Sequence, residues 1–160
     1  LYNLVYSINT NPDSRRLMVS AWAPHELKDM ALPPCHYAFQ VYINNGVIDL
    51  MWQQRSADVF LGLPYDIAMY GLLLEMLAKG AGLEAGQLIG QLGDCHLYNN
   101  HLDQAKEYRR RAKRALPFLH LDKGISYNVL GGLNIPDNFE IELINYNPYP
   151  AIKAELSVGK

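Results

Sequence analysis

An α+β fold is predicted for this 160-residue chain, and three features of the sequence predict it. Two strand-like runs, His36 to Ile43 and Val47 to Arg55, flank Asn45-Gly46, a pair that favours a tight hairpin turn. A long helical pattern from Tyr65 to Gly80 follows. Beyond it, helices and strands alternate irregularly, which argues against a doubly wound sheet.

The elements follow in order. Leu1, Leu4, Val5 and Ile8 lie at helical spacing, so Leu1 to Asn9 reads as the end of an amphipathic helix whose beginning precedes the sequence. Asn11-Pro-Asp-Ser-Arg-Arg16 is a turn. Leu17 to Trp22 is a short strand, and Ala23 to Pro34 a loop with room for one helical turn. Pro64 suits the start of the long helix and Lys79-Gly80 its end. Gln87 to Gly93 mixes polar and apolar residues without a clear period. Asn99 to Arg114 reads as a second helix, and Leu116 to Leu121 and Phe139 to Tyr146 as strands. Asn147-Pro-Tyr-Pro150 is a rigid turn, and Ala151 to Val158 forms a last strand. Without repeats or linkers, residues 1–160 make a single domain.

Hydrophobic residues make up 49% and charged residues 19%, the composition of a globular chain. A net charge of −2 advertises neither nucleic acid nor membrane as a partner. Cys35 and Cys95 lack metal-ligand spacing, so neither a disulfide framework nor a metal site is expected, and a cytoplasmic setting is. The first residues do not resemble a signal peptide, and no apolar run approaches a membrane span.

The residue types that carry chemistry are few. Cys35 follows Pro33 and Pro34, which stiffen the backbone before it. A thiol in that place becomes a nucleophile when positive charge lies near. Arg15-Arg16 and Arg55-Ser56 offer the forks and hydroxyl that suit a phosphate. Asp58 stands in a turn rich in Gly and Pro, where a carboxylate ordinarily caps the chain. His96 and Tyr98 fall two apart, so on an extended segment both polar tips face one way.

Taken together, Asn11-Pro-Asp-Ser-Arg-Arg16, Ala31-Leu-Pro-Pro-Cys-His36, Gln54-Arg-Ser-Ala-Asp58, Phe60-Leu-Gly-Leu-Pro64, Gly93-Asp-Cys-His-Leu-Tyr98 and Tyr146-Asn-Pro-Tyr-Pro-Ala-Ile-Lys153 resemble the thymidylate synthase superfamily. The match weakens between Ala105 and Asn138. The resemblance implies a large mixed sheet packed with helices and a dimer formed through that sheet. It implies that Cys35 adds to C6 of a pyrimidine nucleoside monophosphate, and that 5,10-methylenetetrahydrofolate supplies the carbon added at C5. Arg55 and Ser56 match phosphate-binding residues, and Arg15 and Arg16 match arginines that reach the partner subunit's site in a homodimer. His96 and Tyr98 match residues that hold the sugar 3′-hydroxyl. Asp58 matches the carboxylate that binds the folate ring, with Gly62 and Tyr65 near the cofactor. The family's earlier half contributes a flexible arginine loop, a catalytic glutamate and tryptophans beside the folate, none of which lies within these residues.

One departure bears on the substrate. The family pattern Phe-Asn-Ile-Ala-Ser-Tyr is here Tyr65-Asp-Ile-Ala-Met-Tyr70. Asp66 stands where the family's asparagine reads the pyrimidine edge, and Ala23 and Met69 are further departures. An amide both accepts from uracil N3–H and donates to O4, whereas an ionised carboxylate only accepts. A carboxylate suits the N4 amino group of cytosine, with a proton shared at N3. A mispaired buried group costs about 1–3 kcal/mol, enough to discriminate. Asp66 therefore favours a cytosine nucleotide, and the sequence is read as resembling a dCMP or CMP hydroxymethylase. The alternatives are a dCMP C5-methyltransferase and a thymidylate synthase acting on dUMP. The extension Gly159-Lys160 after Val158 leans the product towards hydroxymethyl, by loosening closure and admitting water. A non-catalytic RNA-binding role, resting on Arg109 to Arg114, is the remote alternative, since that stretch also fits a solvated helix face.

Overall fold

The structure is a computed structural model that describes residues 1–122, 124–127 and 132–157. Helix α1 (Tyr2–Thr10) is followed by strand β1 (Met18–Ser20), a 3₁₀ turn (Leu27–Asp29), β2 (His36–Asn44), β3 (Val47–Asp58) and helix α2 (Gly62–Ala81). Then come β4 (Glu84–His96), a 3₁₀ turn (Asn99–His101), α3 (Leu102–Arg110), β5 (Phe118–Leu121), β6 (Ser126–Tyr127), β7 (Leu133–Asn134) and β8 (Ile141–Ile144).

The main sheet has the order β1-β2-β3-β4, antiparallel across its first two pairings and parallel between β3 and β4. It is a mixed sheet packed with helices, as the α+β reading expected. The hairpin falls at Asn45-Gly46, where both residues have positive φ (50° and 80°), the geometry that matches strand twist. β3 buries every second side chain, including Ile48, Leu50, Trp52 and Gln54. α2 lays Tyr70, Leu74, Leu77 and Ala78 on that face, and α1 adds Leu4, Val5 and Ile8. Full burial of an Ile or Leu such as Ile48, Leu50 or Leu77 contributes about 1.5–3 kcal/mol. The Trp52 and Tyr70 rings stack at 5.2 Å.

Four expectations need correction. α2 does not stop at Lys79-Gly80: it runs to Ala81, and Gly82 supplies the left-handed cap at φ 67°. Gly80 is there for packing, because a Cβ would lie 2.6 Å from the Tyr127 ring. The stretch Gln87 to Gly93, which showed no period, lies inside the longest strand, β4. Its glycines hide the alternation: a Cβ at Gly90 would lie 2.5 Å from the Trp52 ring. The second helix ends at Arg110 rather than Arg114, because Arg111 donates to the Pro150 carbonyl and Arg114 to the Asn147 and Pro148 carbonyls. Arg114 also lies 3.7 Å from the centre of the Tyr149 ring, so these two arginines pin the 147–150 turn instead of forming a solvated helix face. Residues 151–157 are not a strand, and Val158, with Gly159 and Lys160, lies outside the described residues. Their chain is held by side chains rather than by a sheet edge.

Candidate active site

The residues singled out by sequence converge at one end of the main sheet. The carboxyl ends of parallel β3 and β4, the start of α2 and the start of antiparallel β2 all lie there. This is the end of a parallel βαβ unit at which ligands ordinarily bind.

Cys35 stands one residue before β2, where the register shifts between His36 and Ala38. Its carbonyl accepts the Arg55 backbone N–H at 2.9 Å. The Arg55 side chain turns back over the same loop: Nε donates to the Pro34 carbonyl at 3.1 Å and Nη2 to the Pro33 carbonyl at 2.8 Å. That orientation leaves Nη2 at 4.0 Å from Cys35 Sγ. The two prolines thus serve as acceptors that hold a fixed cation beside the sulfur, the setting in which a thiolate nucleophile works. Arg55 Nη1 makes no hydrogen bond among the described residues and stays available to an anion. Ser56 follows, half-buried, its carbonyl accepting from Gln54 Nε2 at 3.0 Å.

Asp66, in the second turn of α2, ends a polar chain that begins in the core. Trp52 Nε1 donates to Gln54 Oε1 at 3.0 Å, and Gln54 Nε2 donates to Asp66 Oδ2 at 2.8 Å. Asp66 Oδ1 lies 3.3 Å from His36 Nε2. Burial, and then the Asp66 charge, push the Tyr70 phenol above its ordinary range. Gln54 and His36 were not singled out by sequence. The signal for Gln54 was present: it continues the inward-facing series Ile48, Leu50, Trp52, and a polar residue on a buried face is held there by partners. His36 becomes visible only because β2 and α2 meet.

Asp58 and His96 are level in the parallel pairing of β3 with β4. Asp58 Oδ1 accepts from the Phe60 and Leu61 amides at 3.0 and 3.3 Å, so the residue does cap the turn into α2. Its Oδ2 makes no hydrogen bond among the described residues. Gly62 lies between the two carboxylates: a Cβ there would sit 3.6 Å from Asp58 Cβ and 3.8 Å from Asp66 Oδ2. Tyr65 is exposed on the helix beside them. The His96 and Tyr98 rings meet edge to face at 4.9 Å, as their spacing predicted, and His96 Nδ1 lies 3.4 Å from Asp94 Oδ1.

Arg15 and Arg16 are not brought to this site. They are exposed in the turn before β1, and the Leu17 carbonyl that follows them accepts from the Val41 N–H at 2.8 Å. Val41 is five strand positions from His36, roughly 17 Å at the strand rise. Arg15 instead lines a cavity of about 340 Å³ with Asp13, Tyr42 and Asn44, near the hairpin. Among the described residues no group of three or more His, Cys, Asp or Glu could hold a metal ion.

A family model described as thymidylate synthase matches residues 1–158. The chain is 48% identical over 159 residues to "Thymidylate synthase" of Listeria innocua serovar 6a (strain ATCC BAA-680 / CLIP 11262), a match covering 99% of this chain and 49% of the relative. The same identity and coverage hold for "Thymidylate synthase" of Listeria monocytogenes serotype 4a (strain HCC23). The chain therefore spans about half the length of the curated relatives it matches.

Proposed function

Because the chain belongs to the thymidylate synthase family, we propose that it serves transfer of a one-carbon unit to C5 of a pyrimidine nucleoside monophosphate, with dUMP as the ring it accepts. The observation that carries this reading is the Arg55 guanidinium held at 4.0 Å from Cys35 Sγ by the Pro33 and Pro34 carbonyls. Residues 1–160 contribute the nucleophile and the nucleotide-binding groups of the catalytic domain. Cys35 adds to C6 of the ring, which makes C5 nucleophilic. Arg55, through its remaining N–H groups, and Ser56 bind the phosphate, while His96 and Tyr98 hold the 3′-hydroxyl. 5,10-Methylenetetrahydrofolate supplies the methylene and the hydride that turns it into methyl. Asp58, with Oδ2 unbonded among the described residues, Gly62 beside it and the exposed Tyr65 fit the side where that donor would lie. The name borne by the relatives supports dUMP over the cytosine nucleotide suggested by Asp66, and methyl over hydroxymethyl.

Arg15 and Arg16 fit a homodimer packed through the sheet: being remote from Cys35 of their own chain, they suit a phosphate in the partner's site. Both cysteines are free thiols, as a cytoplasmic setting requires, and among the described residues no helix is long and apolar enough to cross a membrane.

One observation favours a second reading, a cytosine nucleotide. The Asp66 carboxylate already accepts from Gln54 and faces His36, so it presents lone pairs and no donor of its own towards O4 of uracil. The test is to incubate the full-length protein with 5,10-methylenetetrahydrofolate and each of dUMP, dCMP and CMP, and to identify products by mass spectrometry. Methylated dUMP is expected. Faster consumption of dCMP would overturn the uracil reading, and a hydroxymethyl product would overturn the methyl outcome.

A further inference from the structure

Trp52 is 4% exposed and Gln54 3%, and both lie on the buried face of β3. An indole Nε1–H only donates, so the Gln54 atom it meets at 3.0 Å is the oxygen, Oε1. Nε2 then points the other way, and both of its protons are taken. One goes to the Ser56 carbonyl at 3.0 Å, the other to Asp66 Oδ2 at 2.8 Å. Turning the amide over would set Nε2 against the indole N–H and Oε1 against two oxygens. Trp52 thus decides which end of the Gln54 amide Asp66 meets.

The indole itself is held in place. Its ring stacks on Tyr70 at 5.2 Å, with the planes 13° apart. Trp52 pairs with Gly90 of β4, where a Cβ would lie 2.5 Å from the ring, so the neighbouring strand leaves room for an indole at that level. Two partnered polar groups in a core can be exchanged together for apolar side chains at little cost. Stability alone therefore does not call for Trp52 and Gln54. What the pair delivers is an N–H fixed on Asp66, whose other oxygen, Oδ1, lies 3.3 Å from His36 Nε2. A bare carboxylate opposes O4 of uracil and suits the N4 amino group of cytosine. A donor fixed on Oδ2 polarises that carboxylate away from the ring and softens the opposition.

We infer that Trp52 is a positioning residue for ring selection: its indole N–H orients Gln54, and Gln54 holds Asp66 in the state that tolerates uracil. The orientation stands on geometry alone, and its consequence rests on the reading of Asp66 as the group that faces the pyrimidine. The test uses the full-length protein with Trp52 replaced by benzothienylalanine, which keeps both rings and removes only the N–H, and Trp52→Phe as a second variant. The Kd values of dUMP and dCMP are measured by titration calorimetry. The ratio of the dCMP Kd to the dUMP Kd should fall by about three- to tenfold, the worth of one hydrogen bond. In an Asp66→Ala background the same replacement should leave the ratio unmoved, because nothing remains for Gln54 to hold. General damage to the fold would weaken both nucleotides alike and leave the ratio where it was.

An unmoved ratio in the folded variants would overturn the inference. So would an equal shift in the Asp66→Ala background, since the effect would then bypass Asp66. If neither replacement folds, the parent protein decides by hydrogen exchange of the Gln54 side-chain amide. Protection of both Nε2 protons supports the orientation, and rapid exchange of either overturns it. A ratio unchanged by Asp66→Ala alone would sink the reading of Asp66, and absence of turnover with dUMP and dCMP alike would sink the one-carbon reading. The exchange measurement still judges the orientation in both cases.

Discussion

The two ends of the main sheet contrast sharply. At one end, Cys35, Arg55, Asp66, His36, Asp58 and His96 form contacts that are closed within a single chain, down to the Trp52–Gln54–Asp66 relay from the core. At the hairpin end, Arg15 and Arg16 are exposed in the turn before β1, with Arg15 lining a cavity beside Tyr42 and Asn44. Functional residues of one family motif set need not meet in one chain. The proposed homodimer accounts for this contrast, because it would let the two arginines serve the partner's site.

The contrast can be broken experimentally. The largest effect is expected at the closed end: Cys35→Ser should lower turnover at least about a thousandfold with Tm unchanged, because the hydroxyl is a far weaker nucleophile than the thiolate. Retained turnover would remove Cys35 from the mechanism. Next, Asp66→Asn should raise the ratio of kcat/KM for dUMP to that for dCMP by roughly ten- to a hundredfold, since the amide restores a donor to O4. An unmoved ratio would mean that Asp66 does not read the ring. At the open end, Arg16→Ala should raise the nucleotide KM by about tenfold, the loss of one charged hydrogen bond. Mixing it with Cys35→Ser protein should restore activity, because one site of the mixed dimer keeps both groups. If mixing restores nothing, Arg16 does not act across an interface.

Smaller effects test the scaffold between the ends. Gly90→Ala should cost about 1–3 kcal/mol, read as a lower Tm, because the new methyl meets the Trp52 ring. Tyr127→Phe should cost about 1 kcal/mol through the bond its hydroxyl donates to the Leu77 carbonyl. Burial raises the Tyr127 phenol above its ordinary range. The stability this contributes is complete below the unfolded value near 10 and is lost as pH rises towards the folded one. Alkaline denaturation should therefore be shallower in Tyr127→Phe than in the parent.

The closed end was largely legible in the sequence because its chemistry lies in short local runs. Pro33-Pro34-Cys35 and Arg55-Ser56 are informative as written, and the hairpin at Asn45-Gly46 brings them together. Asp58 was legible as a cap, from its place in a turn rich in Gly and Pro. Gln54 and His36 were not singled out, because a glutamine in a strand and a histidine after a cysteine acquire roles only from what α2 sets against them. β4 was obscured by glycines whose purpose is to admit Trp52 and neighbouring backbone, a long-range steric demand with no local period. The last strand expected from Ala151 was never local at all. Its chain follows His101 and Asn100, more than fifty positions away.

By itself, the sequence determined the α+β class, the place of Cys35 after two prolines and the departure at Asp66, because residue type and spacing act over a few bonds. Only the tertiary structure decided that Asp66 is tied to Gln54 and His36, that Arg111 and Arg114 pin a turn, and that Arg15 and Arg16 stand away from Cys35. Those outcomes depend on strand register and on which helix covers which face, and register is set by packing between segments far apart in the chain.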